Sequence, residues 1–328
     1  MILNYNLIVS ATHGAVLTEE NGKWVRFHRF TEREDQIYHE LHPDKAYKLL
    51  STAGIRVAFR TDSEMLTFAY RFFKQCTSSM IPRIDVYVNG VMVAHEGFDD
   101  YEGREGVAEI HLGTGKKTVE IYLPWSMGCE IAEVALDDGA FFEPHHRRHS
   151  MICYGDSITH GQVTTYPSLP YAPTLARLLD ADEINKGIGG EVFFPELLDG
   201  ADTNAKPDYI TVAYGTNDWS NYPRDVIVKN CRAFYEKLSR LYPDAKIFAI
   251  SPIWRADISA KEAKYGAPVT EIHGLICQQT ADLENVTVIC GDYLHPHVKA
   301  FTVDALHPND AGAQIYAQNL YRALKQYI

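Results

Sequence analysis

The chain has 328 residues, 46% of them apolar and 23% charged, and a formal net charge of −12 at pH 7. These proportions are globular and exclude disordered and fibrous classes; the length exceeds what one core usually fills, so two domains are expected. So acidic a surface repels phosphate backbones and anionic lipid, which argues against nucleic-acid and membrane partners.

Six cysteines (Cys76, Cys129, Cys153, Cys231, Cys277, Cys290) fall at wide, irregular spacings without a CxxC pair. Mostly buried, reduced thiols of a cytoplasmic protein are the expectation. Met1 to Ala15 lacks the basic-then-apolar order of a secretory leader, and no apolar run approaches the ~20 residues of a membrane helix.

Over the first 145 residues apolar side chains recur with period two, the mark of half-buried strands. Ile55, Val57 and Phe59 share one face, as do Leu66, Phe68, Tyr70 and Phe72. Ile84, Val86 and Val88 lead into Asn89-Gly90, and the alternation resumes at Val91 and Val93. Asn-Gly between two such runs predicts a type I′ hairpin, because both turn residues must take positive φ. Val119, Ile121 and Leu123 form a further strand. No long amphipathic helix is evident here, so a β-sandwich of jelly-roll type is expected over residues 1–145.

After the polar stretch Glu143 to Ser150 the rhythm changes. Short apolar runs at Met151–Tyr154, Tyr209–Tyr214, Lys246–Ile250 and Val286–Cys290 alternate with helical patterns. Ile227, Cys231, Phe234, Leu238 and Leu241 make one helical stripe, with Pro223 where a first turn tolerates it, and Tyr316, Leu320, Leu324 and Tyr327 make another. Strands alternating with helices over residues 146–328 predict an α/β domain with a parallel sheet covered on both faces.

Such sheets bind ligands at the carboxyl ends of their strands. The first run is followed by Gly155-Asp156-Ser157-Ile158-Thr159-His160-Gly161, the second by Gly215-Thr216-Asn217-Asp218. Asn185-Lys186-Gly187-Ile188-Gly189-Gly190 lies between them, and Asp304-Ala305-Leu306-His307-Pro308 precedes the last helix. This set suits acyl transfer. Ser157 is a weak nucleophile until a base takes its proton; His307 can be that base, and Asp304, three residues earlier, can orient and stabilise it. The N–H groups of Ser157 and Gly190 and the side-chain amide of Asn217 can serve as an oxyanion hole.

GDSITHG, NKGIGG, GTND and DALHPND, in this order and spacing, resemble the first, second, third and fifth blocks of the SGNH/GDSL hydrolases over residues 150–328. The resemblance implies a flavodoxin-like three-layer α/β/α domain. It also implies a serine nucleophile at Ser157, oxyanion donors at Gly190 and Asn217, an acid–base pair at Asp304 and His307, and no cofactor. Glu191 departs from the small polar residue frequent in the family. The G-x-S-x-G elbow of ordinary α/β-hydrolases is absent, because Thr159 stands at its last glycine. A jelly roll ahead of this domain resembles two-domain carbohydrate esterases. That implies removal of acetyl or other short acyl groups from an oligosaccharide or small-molecule ester. A lysophospholipase or thioesterase, and a carbohydrate-binding protein with a silent hydrolase domain, are the alternatives. The β-domain could bind polysaccharide, wall the active site or pair subunits, and a homo-oligomer is compatible with the sequence.

Trp219, Tyr222, Trp254 and Arg255 follow strands and could form a substrate rim that stacks on sugar rings, or could pack inward. His145, His146 and His149, and likewise His295 and His297, cluster without a carboxylate at ligand spacing, and read as surface histidines with no metal. Asp156 is expected to hydrogen-bond within its own turn rather than serve as the acid.

Overall fold

The computed structural model describes residues 1–97 and 105–328. Two antiparallel sheets build the N-terminal half. In one, the strands run in space as Thr12–His13, Arg56–Thr61, Lys117–Tyr122, Arg83–Val88 and Val91–Gly97, with Phe142–Pro144 also on Arg56–Thr61. The other runs Leu17–Asn21, Trp24–His28, Met127–Leu136, Met65–Gln75 and Glu105–His111. The alternating residues named above meet between the sheets: Val57, Phe59, Leu66, Phe68, Phe72, Ile84, Val86, Val119 and Ile121 are buried in one cluster. Asn89 and Gly90 turn the hairpin with φ of 49° and 80°, as a type I′ turn demands.

The C-terminal half is a five-stranded, all-parallel sheet ordered Ala181–Gly187, His149–Gly155, Tyr209–Ala213, Lys246–Ile250, Val286–Ile289. In chain order that is 2-1-3-4-5, the flavodoxin-like winding, whose switch point lies between the first and third strands. Arg224–Leu241 and Glu271–Thr280 cover one face, with Ile227, Cys231, Phe234 and Leu238 buried as the stripe predicted. Tyr171–Leu179 and Asp310–Leu324 cover the other through Leu175, Tyr316, Leu320 and Leu324. Tyr327 lies beyond that helix and is exposed, so the last stripe ends one turn earlier than expected. Among the described residues no helix is long and apolar enough to cross a membrane.

Besides the short helix Tyr5–Ser10, two elements depart from expectation, and for one reason. Helix Glu32–Leu41 lies in the half expected to lack helices, started by a capping box between Thr31 and Glu34. Strand Ala181–Gly187, edge of the parallel sheet, reads as polar sequence but is largely buried. Both face the junction between the halves, which is sealed by polar groups. Glu34 pairs with Lys186 at 2.5 Å, with both side chains buried. Asp182 pairs with Arg56 and, at 3.1 Å, with His13. The fully buried Arg29 donates to the carbonyls of Ser51, Asn185 and Gly187 at 2.8, 2.8 and 3.1 Å. Charged positions that are buried by pairing carry no apolar periodicity. The Arg147 side chain, within the stretch read as a polar connector, is likewise buried, reaching Glu120 at 2.6 Å.

Candidate active site

The carboxyl end of strand His149–Gly155 turns at once into the short helix Ser157–His160. The turn's chemistry is local. A Cβ on Gly155 would lie 2.0 Å from Thr159 Oγ1, so only glycine lets the helix fold back over the strand end. Asp156 caps the helix, accepting from the Ile158 N–H at 2.9 Å, and Gly161 ends it with φ of 99°. The turn leaves Ser157 at the first helical position, 7% exposed. Burial pushes the Asp156 carboxyl up to about 6, and its oxygen is engaged within the turn.

Ser157 Oγ lies 2.7 Å from Nε2 of His307, and Nδ1 of His307 lies 2.7 Å from Oδ2 of Asp304. The other oxygen of Asp304 accepts from the N–H groups of Leu306 and His307 at 3.1 and 2.8 Å. Partial burial works against the carboxylate's charge, but those N–H groups and the imidazole outweigh it and hold Asp304 below its ordinary range. The loop keeps its shape through Ala305 at φ 67° and a bond from the Val303 N–H to the His307 carbonyl at 2.9 Å. The three side chains thus form one hydrogen-bonded line.

Gly190 is exposed, has φ of 82°, and would have open space around a Cβ. Its glycine is therefore required by backbone conformation, with room left in front of it. Asn217 heads the turn after the third strand and donates through Nδ2 to the Glu191 carbonyl at 3.0 Å. Buried Asp218 ties the same two turns together, accepting from the Gly215 and Phe193 N–H groups at 3.0 Å each. Burial raises its carboxyl to about 7. Among the described residues, the N–H groups of Ser157 and Gly190 donate to no other group.

Of the four residues considered for a rim, two pack inward. Trp219 is a correction: it is 2% exposed, packed in the core, with its indole N–H on the Ala267 carbonyl at 2.7 Å. Arg255 has no free guanidinium edge either; it binds Asp257, Ser220 and Thr216, and lies over the Trp219 ring. These contacts are what an inward-packed aromatic and its cation satisfy first. Tyr222 is 38% exposed, and Trp254 is half-buried, stacked on His297 at 5.9 Å. A groove of about 660 Å³ between Leu17–Glu19, His28 and helix Glu32–Leu41 shares no residue with the Ser157 site.

All six cysteines are free; four are buried and Cys277 and Cys290 half-buried. The histidine clusters need two corrections: His295 is buried, 3% exposed, and the fold brings a carboxylate to His146, as it does to His149 and His297. His13, His146 and Asp182 place ligand-type atoms within 4.8 Å of one another. Asp182, however, is already paired with the Arg56 guanidinium and accepts from the Arg147 N–H at 3.2 Å. A cation there would meet a fixed positive charge.

Sequence reasoning missed the N-terminal residues that reach this site. Lys48 Nζ donates to the Gly189 carbonyl at 2.6 Å. Lys45 Nζ and His42 Nδ1 meet the buried Glu191 carboxylate at 2.9 and 3.2 Å. Glu191, noted above as out of pattern, was the one available signal, since a buried carboxylate requires a cation.

Residues 153–315 match the model of the GDSL-like lipase/acylhydrolase family. No curated protein matches the sequence. Among solved structures, the chain is similar to the salicylyl-acyltransferase SsfX3 from a tetracycline biosynthetic pathway, with a TM-score of 0.78 and 22% identity over 96% of this chain and 94% of that one. It is similar to the acetyl xylan esterase Est2A from the rumen bacterium Butyrivibrio proteoclasticus (TM-score 0.64, 17% identity, 97% and 95% covered). A family two carbohydrate esterase from Clostridium thermocellum in complex with cellohexaose also aligns (TM-score 0.63, 16% identity, 84% and 93% covered). At these identities the likeness is one of fold, β-sandwich included, while the match to the GDSL-like lipase/acylhydrolase family is carried by residues 153–315.

Proposed function

We propose that the protein is a serine esterase that removes acetyl or other short acyl groups from carbohydrates or small esters through an acyl-enzyme. The observation that carries this reading is the hydrogen-bonded line Ser157–His307–Asp304 at the sheet's switch point. His307 Nε2 takes the Ser157 proton as Oγ attacks the ester carbonyl. The oxyanion so formed accepts from the N–H groups of Ser157 and Gly190 and from the Asn217 amide. His307 then protonates the leaving alcohol, and water, activated by the same imidazole, releases the acid. Asp304, ionised throughout, fixes the imidazole and offsets its transient positive charge.

A carbohydrate ester is supported by two structural relatives, one an acetyl xylan esterase and one a family two carbohydrate esterase in complex with cellohexaose. It is also supported by the openness of the site, with Gly190 exposed and the Asp304 side chain 48% exposed, which suits a hydrated acceptor better than a long acyl chain. The test is acetate release from a panel of acetylated sugars and from p-nitrophenyl esters of increasing chain length. Preference for acetate, lost in Ser157→Ala, is expected; preference for octanoate would favour a lipase or thioesterase. Likeness to a salicylyl-acyltransferase supports a second reading, in which an alcohol takes the acyl group in place of water. Product partition in the presence of added sugar alcohols separates the two.

A further inference from the structure

The oxyanion donor at Gly190 sits in a turn closed by the Glu191 N–H on the Ile188 carbonyl at 3.0 Å, a bond that does not engage the central Gly189–Gly190 peptide. Gly189 and Gly190 are consecutive glycines, and a Cβ on Gly189 would lie 2.1 Å from Gln162 Nε2, so this pair cannot be stiffened by a side chain without moving Gln162. Glycine on both sides leaves the intervening peptide free to flip. A flip would turn the Gly190 N–H away from the site.

The restraint comes from the other half of the chain. Residues Ala46–Leu50 form a 3₁₀ helix, with Lys45 at its N-cap. At three residues per turn, positions 45 and 48 stack on one edge. Both lysines reach the same loop. Lys48 Nζ donates to the Gly189 carbonyl at 2.6 Å, while Lys45 Nζ holds the Glu191 carboxylate at 2.9 Å. The Glu191 carbonyl in turn accepts from Asn217. Just upstream, Arg29 grips the carbonyls of Asn185 and Gly187.

The Gly189 carbonyl and the Gly190 N–H belong to one planar peptide unit, and no peptide of the described chain is cis. In a trans unit the two groups point in opposite directions, so an ammonium that fixes the carbonyl fixes the N–H. A charge-assisted bond is shorter and stronger than a neutral one, and it polarises the peptide so that its N–H becomes a better donor. We propose that Lys48 is a positioning residue for the oxyanion hole, holding and polarising the peptide whose N–H is that of Gly190. The N-terminal half thereby completes the catalytic apparatus of the C-terminal half. This rests on the reading of Ser157 as nucleophile.

The tests use the full chain. Lys48→Met keeps the apolar stem and removes donor and charge; Lys48→Arg keeps both. With p-nitrophenyl acetate, kcat of the Met variant is expected to fall about tenfold or more while KM stays within about threefold, because the oxyanion exists only in the transition state. Binding of a boronic acid that mimics the tetrahedral adduct should weaken in parallel, the thermal midpoint should hold, and the Arg variant should recover most of kcat. Wild-type kcat in the Met variant would overturn the proposal. So would a rise in KM alone, or an Arg variant as impaired as the Met one. If the Met variant does not fold, Lys48→Gln is read by the same split. An inactive Ser157→Ala beside a fully active Lys48→Met would refute only the role of Lys48; an active Ser157→Ala would refute the nucleophile reading itself.

Discussion

Glu183 sits on the edge strand Ala181–Gly187, 2% exposed, and neither carboxylate oxygen has a hydrogen-bond partner among the described residues. Burial pushes its carboxyl up from 4.5 to about 7, with Arg147, Arg56 and Arg177 pulling the other way. Raised acids are held protonated in the fold, so the folded state binds more protons than the unfolded chain between these two values. The ionisation penalty is therefore absent below pH 4.5, grows as pH rises, and is complete above pH 7. A shift from 4.5 to about 7 at 1.36 kcal/mol per unit is worth about 3 kcal/mol at most. Glu183→Gln keeps the shape and cannot ionise. From the average unfolding entropy per residue, 3 kcal/mol in a chain of this size is about 4 °C of thermal midpoint. Scanning calorimetry of both proteins at pH 5 and pH 8 isolates the effect, since other titrating groups cancel in the comparison. The wild type should lose about 4 °C relative to the Gln variant on going to pH 8. Parallel losses in the two proteins would refute the reasoning.

Asp304→Asn should leave circular dichroism unchanged and reduce kcat by about 10⁴, because the amide presents the wrong group to His307 Nδ1 and carries no charge; wild-type turnover would reject its role. Glu34→Ala strands the Lys186 ammonium in the junction and should destabilise the protein by about 3–5 kcal/mol, read by urea denaturation. The double variant Glu34→Ala, Lys186→Met should recover much of that loss, because no buried charge remains unpaired; a double variant no more stable than Glu34→Ala alone would show that the lost charge pairing is not the cause.

The parallel sheet was legible because its central strands, buried on both faces, read as apolar runs, and the sandwich because Leu66, Phe68, Tyr70 and Phe72 keep strict alternation. The turn residues of the site were legible because each answers a local demand: Gly155 for the fold-back, Asp156 for the cap, Gly190 for positive φ. Helix Glu32–Leu41 and strand Ala181–Gly187 were not. Their inward positions are held by Glu34, Asp182 and Lys186, whose partners lie over 120 residues away in the chain, and periodicity cannot report a buried charge. The fate of Trp219 was hidden similarly, since its hydrogen bond goes to Ala267, 48 residues on. Lys48 was invisible for a sharper reason: its partner is a backbone carbonyl, which leaves no side-chain signature.

The most direct measurement is covalent trapping of the nucleophile. Incubation with a p-nitrophenyl phosphonate, followed by peptide mass spectrometry, should place one phosphonyl group on Ser157 with stoichiometric release of nitrophenol and loss of esterase activity. Labelling at another residue, or full activity in Ser157→Ala, would contradict the mechanism.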